Sequence, residues 1–157
     1  MTKIVKRNIG PYKISLYFGR TTKIEGINSN LADGNHAIFW EFDSVEELPV
    51  IAALRSVQAR FRLPAIHLIR SHPGGGFHAY CFKSTPWIKT VHIVSGTNGV
   101  DPGYLSMCCI RQHWTLRISD KGKGKPEFHS MLESKVAADC TLDELTSCVE
   151  YEVWTKR

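Results

Sequence analysis

The sequence predicts an α+β fold: a ferredoxin-like or RRM-like split βαβ core in which strand–helix–strand–strand–helix–strand builds a four-stranded antiparallel sheet. Three observations carry this expectation. Apolar runs of strand length recur at 36–43, 65–70, 77–83 and 114–119. An apolar stripe at 3.6-residue spacing follows the first run, and a second helical pattern follows the third. The chain reads as a single domain over residues 1–157, with this core at about 36–125, an N-terminal strand extension at 1–35 and a C-terminal extension at 126–157.

Within the N-terminal extension, residues 12–18 alternate at the strand period and read as part of a hairpin, followed by a loop rich in Asn, Gly and Asp up to Asn35. His36 to Asp43 forms the first core strand. Ile38, Trp40 and Phe42 share one face, and Phe39, Glu41 and Asp43 share the other. The next helix starts either at Ser44, with Glu47 at capping-box spacing, or at Pro49. Val50, Leu54, Val57 and Phe61 make its buried stripe, and Leu63-Pro64 stops it. Ala65 to Arg70 is the second core strand, Pro73-Gly74-Gly75-Gly76 the turn, and Phe77 to Lys83 the third strand. Pro86 opens a second helix carrying Trp87, Val91 and Val94, and Gly96 closes it. Val100 to Met107 holds a helical turn. Trp114 to Ser119 is the fourth core strand, with Leu116 and Ile118 toward the core and Thr115, Arg117 and Ser119 opposite. A basic loop, Lys121 to Lys125, follows; Thr141 caps a short C-terminal helix over 142–149, and 151–154 forms a final strand.

Right-handed crossovers put the first and third core strands side by side at the sheet centre and the second and fourth at its edges. Each helix has a single apolar stripe, so both cover one face and the other is left open. On that open face Glu41 and Asp43 stand beside His78 and Tyr80 of the third strand and Arg117 of the fourth. Two carboxylates on one side of a strand end are either solvated or gathered around a cation, since like charges repel. His78 reads either as a structural imidazole or as part of that site, while His67, His72, His92, His113 and His129 have no zinc-like spacing.

The formal charge of +5 and a pI near 9.0 favour polyanionic partners. Five cysteines, an odd number with no CxxC, point to a reducing compartment. Met1 to Lys6 lacks the apolar core of a signal peptide, and no window reaches the roughly 20 apolar residues of a membrane span. A cytoplasmic protein without membrane partners is expected.

Three short motifs then occur in order: Glu41-Phe42-Asp43 at a strand end; Ser71 to His78 with its tail Ala79-Tyr80 across a glycine-rich hairpin; and Val100-Asp101. Downstream lies an arginine-bearing strand, Thr115 to Lys121. In these features, over about residues 36–125, the chain resembles the catalytic core of the archaeo-eukaryotic primase superfamily, especially the small primase-polymerase domains of plasmids and viruses. It departs from the family in beginning the acidic pair with Glu where Asp is usual, and Asp120 is the alternative to Asp101 as the third acid.

The resemblance implies a nucleotidyltransferase of plasmid or viral DNA replication. Glu41, Asp43 and Asp101 would be catalytic and would ligate Mg²⁺ or Mn²⁺. His78, Arg117, Lys121 and Ser71 would contact the nucleoside triphosphate, and Tyr80 and Arg111 the DNA or RNA template. A helicase or other replication protein is the implied partner. Competing readings are a non-catalytic single-stranded nucleic-acid binder on an RRM-like sheet, with Tyr80 and Phe82 stacking bases, and a catalytically degenerate primase-like adaptor. A rolling-circle nickase fits poorly, because His78-Ala79-Tyr80 lacks the second histidine it needs.

Overall fold

Residues 36–42 are apolar on both faces of a strand, which demands cover on both sides, and the fold supplies it. A computed structural model describes residues 3–18, 21–43, 46–122, 124–145 and 148–154, with side chains over 5–15, 23–43, 46–122 and 124–145. In chain order the elements are β1 (Lys3–Ile9), β2 (Tyr12–Phe18), β3 (Thr21–Asn28), β4 (His36–Phe42), α1 (Glu47–Phe61), β5 (Ile66–Arg70) and β6 (Phe77–Thr85). They continue with α2 (Trp87–Ser95), α3 (Pro102–Arg111), β7 (Thr115–Arg117), β8 (Glu127–Leu132), a 3₁₀ turn (Leu142–Glu144) and β9 (Cys148–Trp154). The fold is mixed α+β with antiparallel sheets: a β1–β2 ribbon, a three-stranded sheet ordered β7-β3-β9 and a four-stranded sheet ordered β4-β6-β5-β8.

β6 lies between β4 and β5, as the crossover argument requires. The fourth position differs from expectation. The predicted fourth core strand, shortened to Thr115–Arg117, pairs with β3 and not with β4, whose outer edge instead meets Ser29, Asn30 and Asp101. The sheet instead gains β8 beside β5, from a segment assigned to the C-terminal extension. β3 corrects a second reading, since its residues 21–28 fall where a loop is expected. The expected helical turn is the ten-residue helix α3, and the expected helix over 142–149 shrinks to a 3₁₀ turn before β9.

One face of the four-stranded sheet carries Ile38, Trp40, Phe42, Ile66, Leu68, Ala79 and Cys81, all fully enclosed. The helices close it. Trp40 Nε1 donates to Thr97 Oγ1 (3.0 Å) beyond α2, and Val50, Leu54 and Val57 of α1 are buried as their spacing predicts. Gln58 Nε2 ties α1 to the Leu132 carbonyl of β8 (3.0 Å). α1 ends with Leu63 N–H bonded to the Gln58 carbonyl (3.0 Å) and Arg62 in the left-handed region, the pattern of a Schellman cap. Ser44, one proposed start of this helix, lies outside the described residues, and Glu46 occupies the cap position without a side-chain bond.

The opposite face is not open. Phe39, His78 and Tyr80 are buried there, Phe39 meeting Tyr80 edge-on at 4.9 Å. α3 and the three-stranded sheet lie over this face; Ile27 of β3 and Ile118 after β7 share a cleft of about 380 Å³ with His67, Ile69, Tyr80 and Phe82. Burying a large apolar side chain contributes about 1.5–3 kcal/mol, so Phe39 and Tyr80 favour this second layer over an exposed sheet.

Candidate functional site

Strand alternation brings Glu41 and His78 directly opposite each other in the β4–β6 register. His78 Nε2 lies 3.8 Å from Glu41 Oε1; the imidazole is 1% exposed and the carboxylate 32%. His78 Nδ1 is buried and has no hydrogen-bond partner among the described residues. A buried polar atom left unpaired costs about 1–3 kcal/mol, so an imidazole held this way beside a carboxylate calls for a functional explanation.

Asp101 joins this pair through its backbone. Its N–H donates to the Glu41 carbonyl (2.9 Å), which fixes the start of α3 against the end of β4. Its side chain caps α3, Oδ1 accepting from Tyr104 N–H, and Pro102 occupies the first helical position. One turn on, Tyr104 is buried, with its hydroxyl beside the Cys108 thiol and its ring stacked 5.6 Å from Trp114. Burial first, then the neighbouring Cys108 thiol and Glu41 carboxylate, hold the Tyr104 phenol well above the usual range. The same holds for Tyr80, pushed up by burial and by Glu41 against the opposing pull of Arg117. Tyr80 is mostly buried and edge-on to Phe39, with its remaining surface in the cleft it shares with Ile27, His67, Ile69 and Phe82.

Asp43 is exposed at the β4 end, on the Glu41 side of the strand and roughly 6–7 Å further along, at ~3.3 Å per residue. It faces the glycine turn. Gly76 sits at φ +78, and a Cβ placed there would lie 2.6 Å from Ser71 Oγ and 3.8 Å from Asp43 Oδ1. Only a residue without a side chain lets this backbone come so close to β4. Ser71 is buried, its Oγ donating to the Gly75 carbonyl (3.3 Å) and its N–H to the Gly76 carbonyl (3.1 Å).

Arg117 binds the turn to the basic loop. Its guanidinium donates to the carbonyls of Ser71 (2.8 Å), Ser119 (2.5 Å) and Gly124 (3.4 Å), which engages three of its five N–H groups. Asp120 shapes the loop, Oδ1 accepting from Gly122 N–H (2.6 Å) and Gly124 N–H (2.9 Å). Gly124 packs so closely on Pro73 that an added Cβ would meet Pro73 Cδ at 2.8 Å. Lys121 and Lys125, both exposed, belong to the loop that Gly124 anchors on Pro73. Nothing in the sequence signals this packing of Gly124 on Pro73, because it joins segments about fifty residues apart.

Of the residues predicted from sequence, the fold gathers Glu41, Asp43, His78, Ser71, Arg117 and the backbone of Asp101 at one end of β4 and β6, with Lys121 exposed in the loop whose Gly124 packs on Pro73. Arg111 lies apart, at the far end of α3, about 15 Å from Asp101 at ~1.5 Å per residue. Asp120 is a turn-former in the basic loop, whereas Asp101 adjoins Glu41. Tyr104 and Cys108, which feel the Glu41 charge from α3, escape sequence reasoning, which gives only a helical turn over Val100 to Met107.

Among the described residues, no three His, Cys, Asp or Glu side chains converge to hold a metal ion. Glu41 and Asp43 leave two carboxylates at the end of β4, the ligand type that Mg²⁺ and Mn²⁺ take alongside substrate phosphate. With Oδ1 of Asp101 engaged in the cap, the three acids do not fit a preformed two-ion site. Comparison with known proteins returns no match among family models, curated proteins or solved structures.

Proposed function

We propose that the end of β4 and β6 binds a nucleoside triphosphate with a divalent cation and transfers its nucleotide to a 3′-hydroxyl, as a primase-polymerase of plasmid or viral DNA replication. The observation that carries this reading is the Asp101 N–H to Glu41 carbonyl bond, which joins the first and third acidic motifs where His78 of the second lies 3.8 Å from Glu41. The core β4-α1-β5-β6-α2 is read as the ferredoxin-like half of such a domain.

Glu41 and Asp43 would hold the ion, whose charge would acidify the attacking hydroxyl and neutralise the leaving pyrophosphate. Lys121 and Lys125, in the loop that Gly124 anchors on Pro73, supply cations for the triphosphate, and the remaining Arg117 N–H groups can join them. His78 is enclosed behind Glu41, so we assign it to positioning that carboxylate and not to direct phosphate contact. Template DNA or RNA and a helicase partner complete the system in a cytoplasmic setting, where cysteines stay reduced.

A second reading is favoured by the Asp101 cap: with its Oδ1 committed to Tyr104 N–H, the protein would be a degenerate adaptor that binds nucleotide without transfer. Calorimetry of triphosphate binding with and without Mn²⁺, paired with primer extension, separates the two. Metal-dependent binding with extension, both lost in Glu41→Gln/Asp43→Asn, supports the transferase. Binding without extension supports the adaptor, and the absence of metal-dependent binding rejects both.

A further inference from the structure

β1 and β2 pair only with each other, from Lys3 opposite Phe18 to Ile9 opposite Tyr12, and join neither larger sheet. Their loop is Gly10-Pro11, with Gly10 at φ +58, the positive φ that the first central position of a type II′ turn requires. Facing residues share a side, so the ribbon has two unlike faces. Val5, Arg7, Ile9, Tyr12 and Ile14 lie on one, and Lys6, Asn8, Lys13 and Ser15 on the other. The first face is uncovered: Val5 is 51% exposed, Ile9 58%, Tyr12 72% and Ile14 43%. A lone two-stranded ribbon is marginal in water, and one with an uncovered apolar face gains stability from a partner.

Charge says which partner. The first 24 residues hold six Lys and Arg and no acid, whereas the rest of the chain sets 14 Lys and Arg against all 15 acids. The whole positive surplus therefore resides in the ribbon and its exit. Lys6, Arg7 and Lys13 are exposed, and none forms an ion pair among the described residues. A two-stranded ribbon fits the major groove of B-form DNA, about 12 Å wide, and cations along it reach phosphates. Apolar groups at its tip, such as Ile9 and Tyr12, can contact thymine methyl groups there.

We propose that the β1–β2 ribbon is an arm that grips duplex DNA, with Lys6, Arg7 and Lys13 on phosphates and the Ile9–Tyr12 tip in a groove. The inference stands on the ribbon alone and is independent of nucleotidyl transfer.

The test is fluorescence anisotropy of a short labelled DNA duplex with the full chain, titrated across roughly 50–200 mM salt. In K6Q/R7Q/K13Q the slope of log K against log salt should flatten by about 2.7, at ~0.9 for each phosphate no longer neutralised, and affinity at low salt should fall at least about tenfold. The variant should keep the wild-type melting temperature and its Mn²⁺-dependent triphosphate binding. I9S/Y12S should weaken duplex affinity with the salt slope unchanged. Unaltered affinity and slope in K6Q/R7Q/K13Q overturn the proposal. So does a wild-type slope shallower than about −2.7, which needs no variant to fold. A wild-type dimer that I9S/Y12S dissociates, or binding to anionic vesicles in place of the duplex, also overturns it.

Discussion

Arg117 Nη2 donates to the Ser71 carbonyl at 2.8 Å, joining the end of β7 to the glycine turn across forty-six residues of chain. The same guanidinium holds Gly124, so one side chain sets the distance between the turn near Asp43 and the lysine-bearing loop. Arg117→Lys keeps the charge but not the fork. It should cost about 1–3 kcal/mol in urea unfolding and weaken triphosphate binding more than its retained charge would suggest. Unchanged binding in a destabilised Arg117→Lys protein would mean that the clamp serves the fold alone.

Gly76→Ala puts a methyl group 2.6 Å from Ser71 Oγ at a backbone φ of +78. Left-handed strain alone costs about 1–3 kcal/mol, and the clash adds to it. Ser71→Ala/Gly76→Ala removes the hydroxyl but keeps the strain, so chemical denaturation should show partial recovery relative to Gly76→Ala. Full recovery would contradict the conformational requirement.

The first core strand and α1 are legible in the sequence because their signals are local: Ile38, Trp40 and Phe42 alternate, and Val50, Leu54 and Val57 recur on one helical face. The site is legible in part for the same reason, since Glu41, Asp43 and His78 sit on strands whose pairing follows from one crossover and one hairpin. β8 is not, because Phe128 and Met131 are exposed while only Leu132 is buried, which leaves no clean alternation. β3 offers little more than Ile24 and Ile27 among polar residues. The closed second face does carry a signal. Phe39, Ile69, Tyr80 and Phe82 place apolar groups on the side expected to be open, and such two-sided strands need cover.

Mild acid should destabilise the protein through its buried imidazoles. Burial lowers the pKa of His36, aided by the His113 charge, and burial also lowers those of His67 and His113 below the ordinary 6.5. The unfolded chain then binds more protons than the folded one once pH drops below 6.5, so stability present above that value is lost progressively beneath it. Urea midpoints should fall between neutral pH and about pH 5. A flat or rising midpoint would contradict the burial of these imidazoles.

Thiol reactivity should divide the cysteines. Burial pushes Cys81 up to about 12 and Cys108 and Cys140 up to about 11, so little thiolate forms at mildly alkaline pH. Cys109 is exposed. Alkylation followed by peptide mapping should mark Cys109 well before Cys81, Cys108 and Cys140, which react only on unfolding. Early labelling of Cys81 would show that the sheet centre opens.

The most direct measurement is anomalous diffraction from crystals holding Mn²⁺ and a non-hydrolysable nucleoside triphosphate. One Mn²⁺ should bridge the Glu41 and Asp43 carboxylates to the triphosphate, with phosphate oxygens beside the glycine turn. Manganese bound away from both carboxylates, or a triphosphate lodged elsewhere without metal, would contradict it.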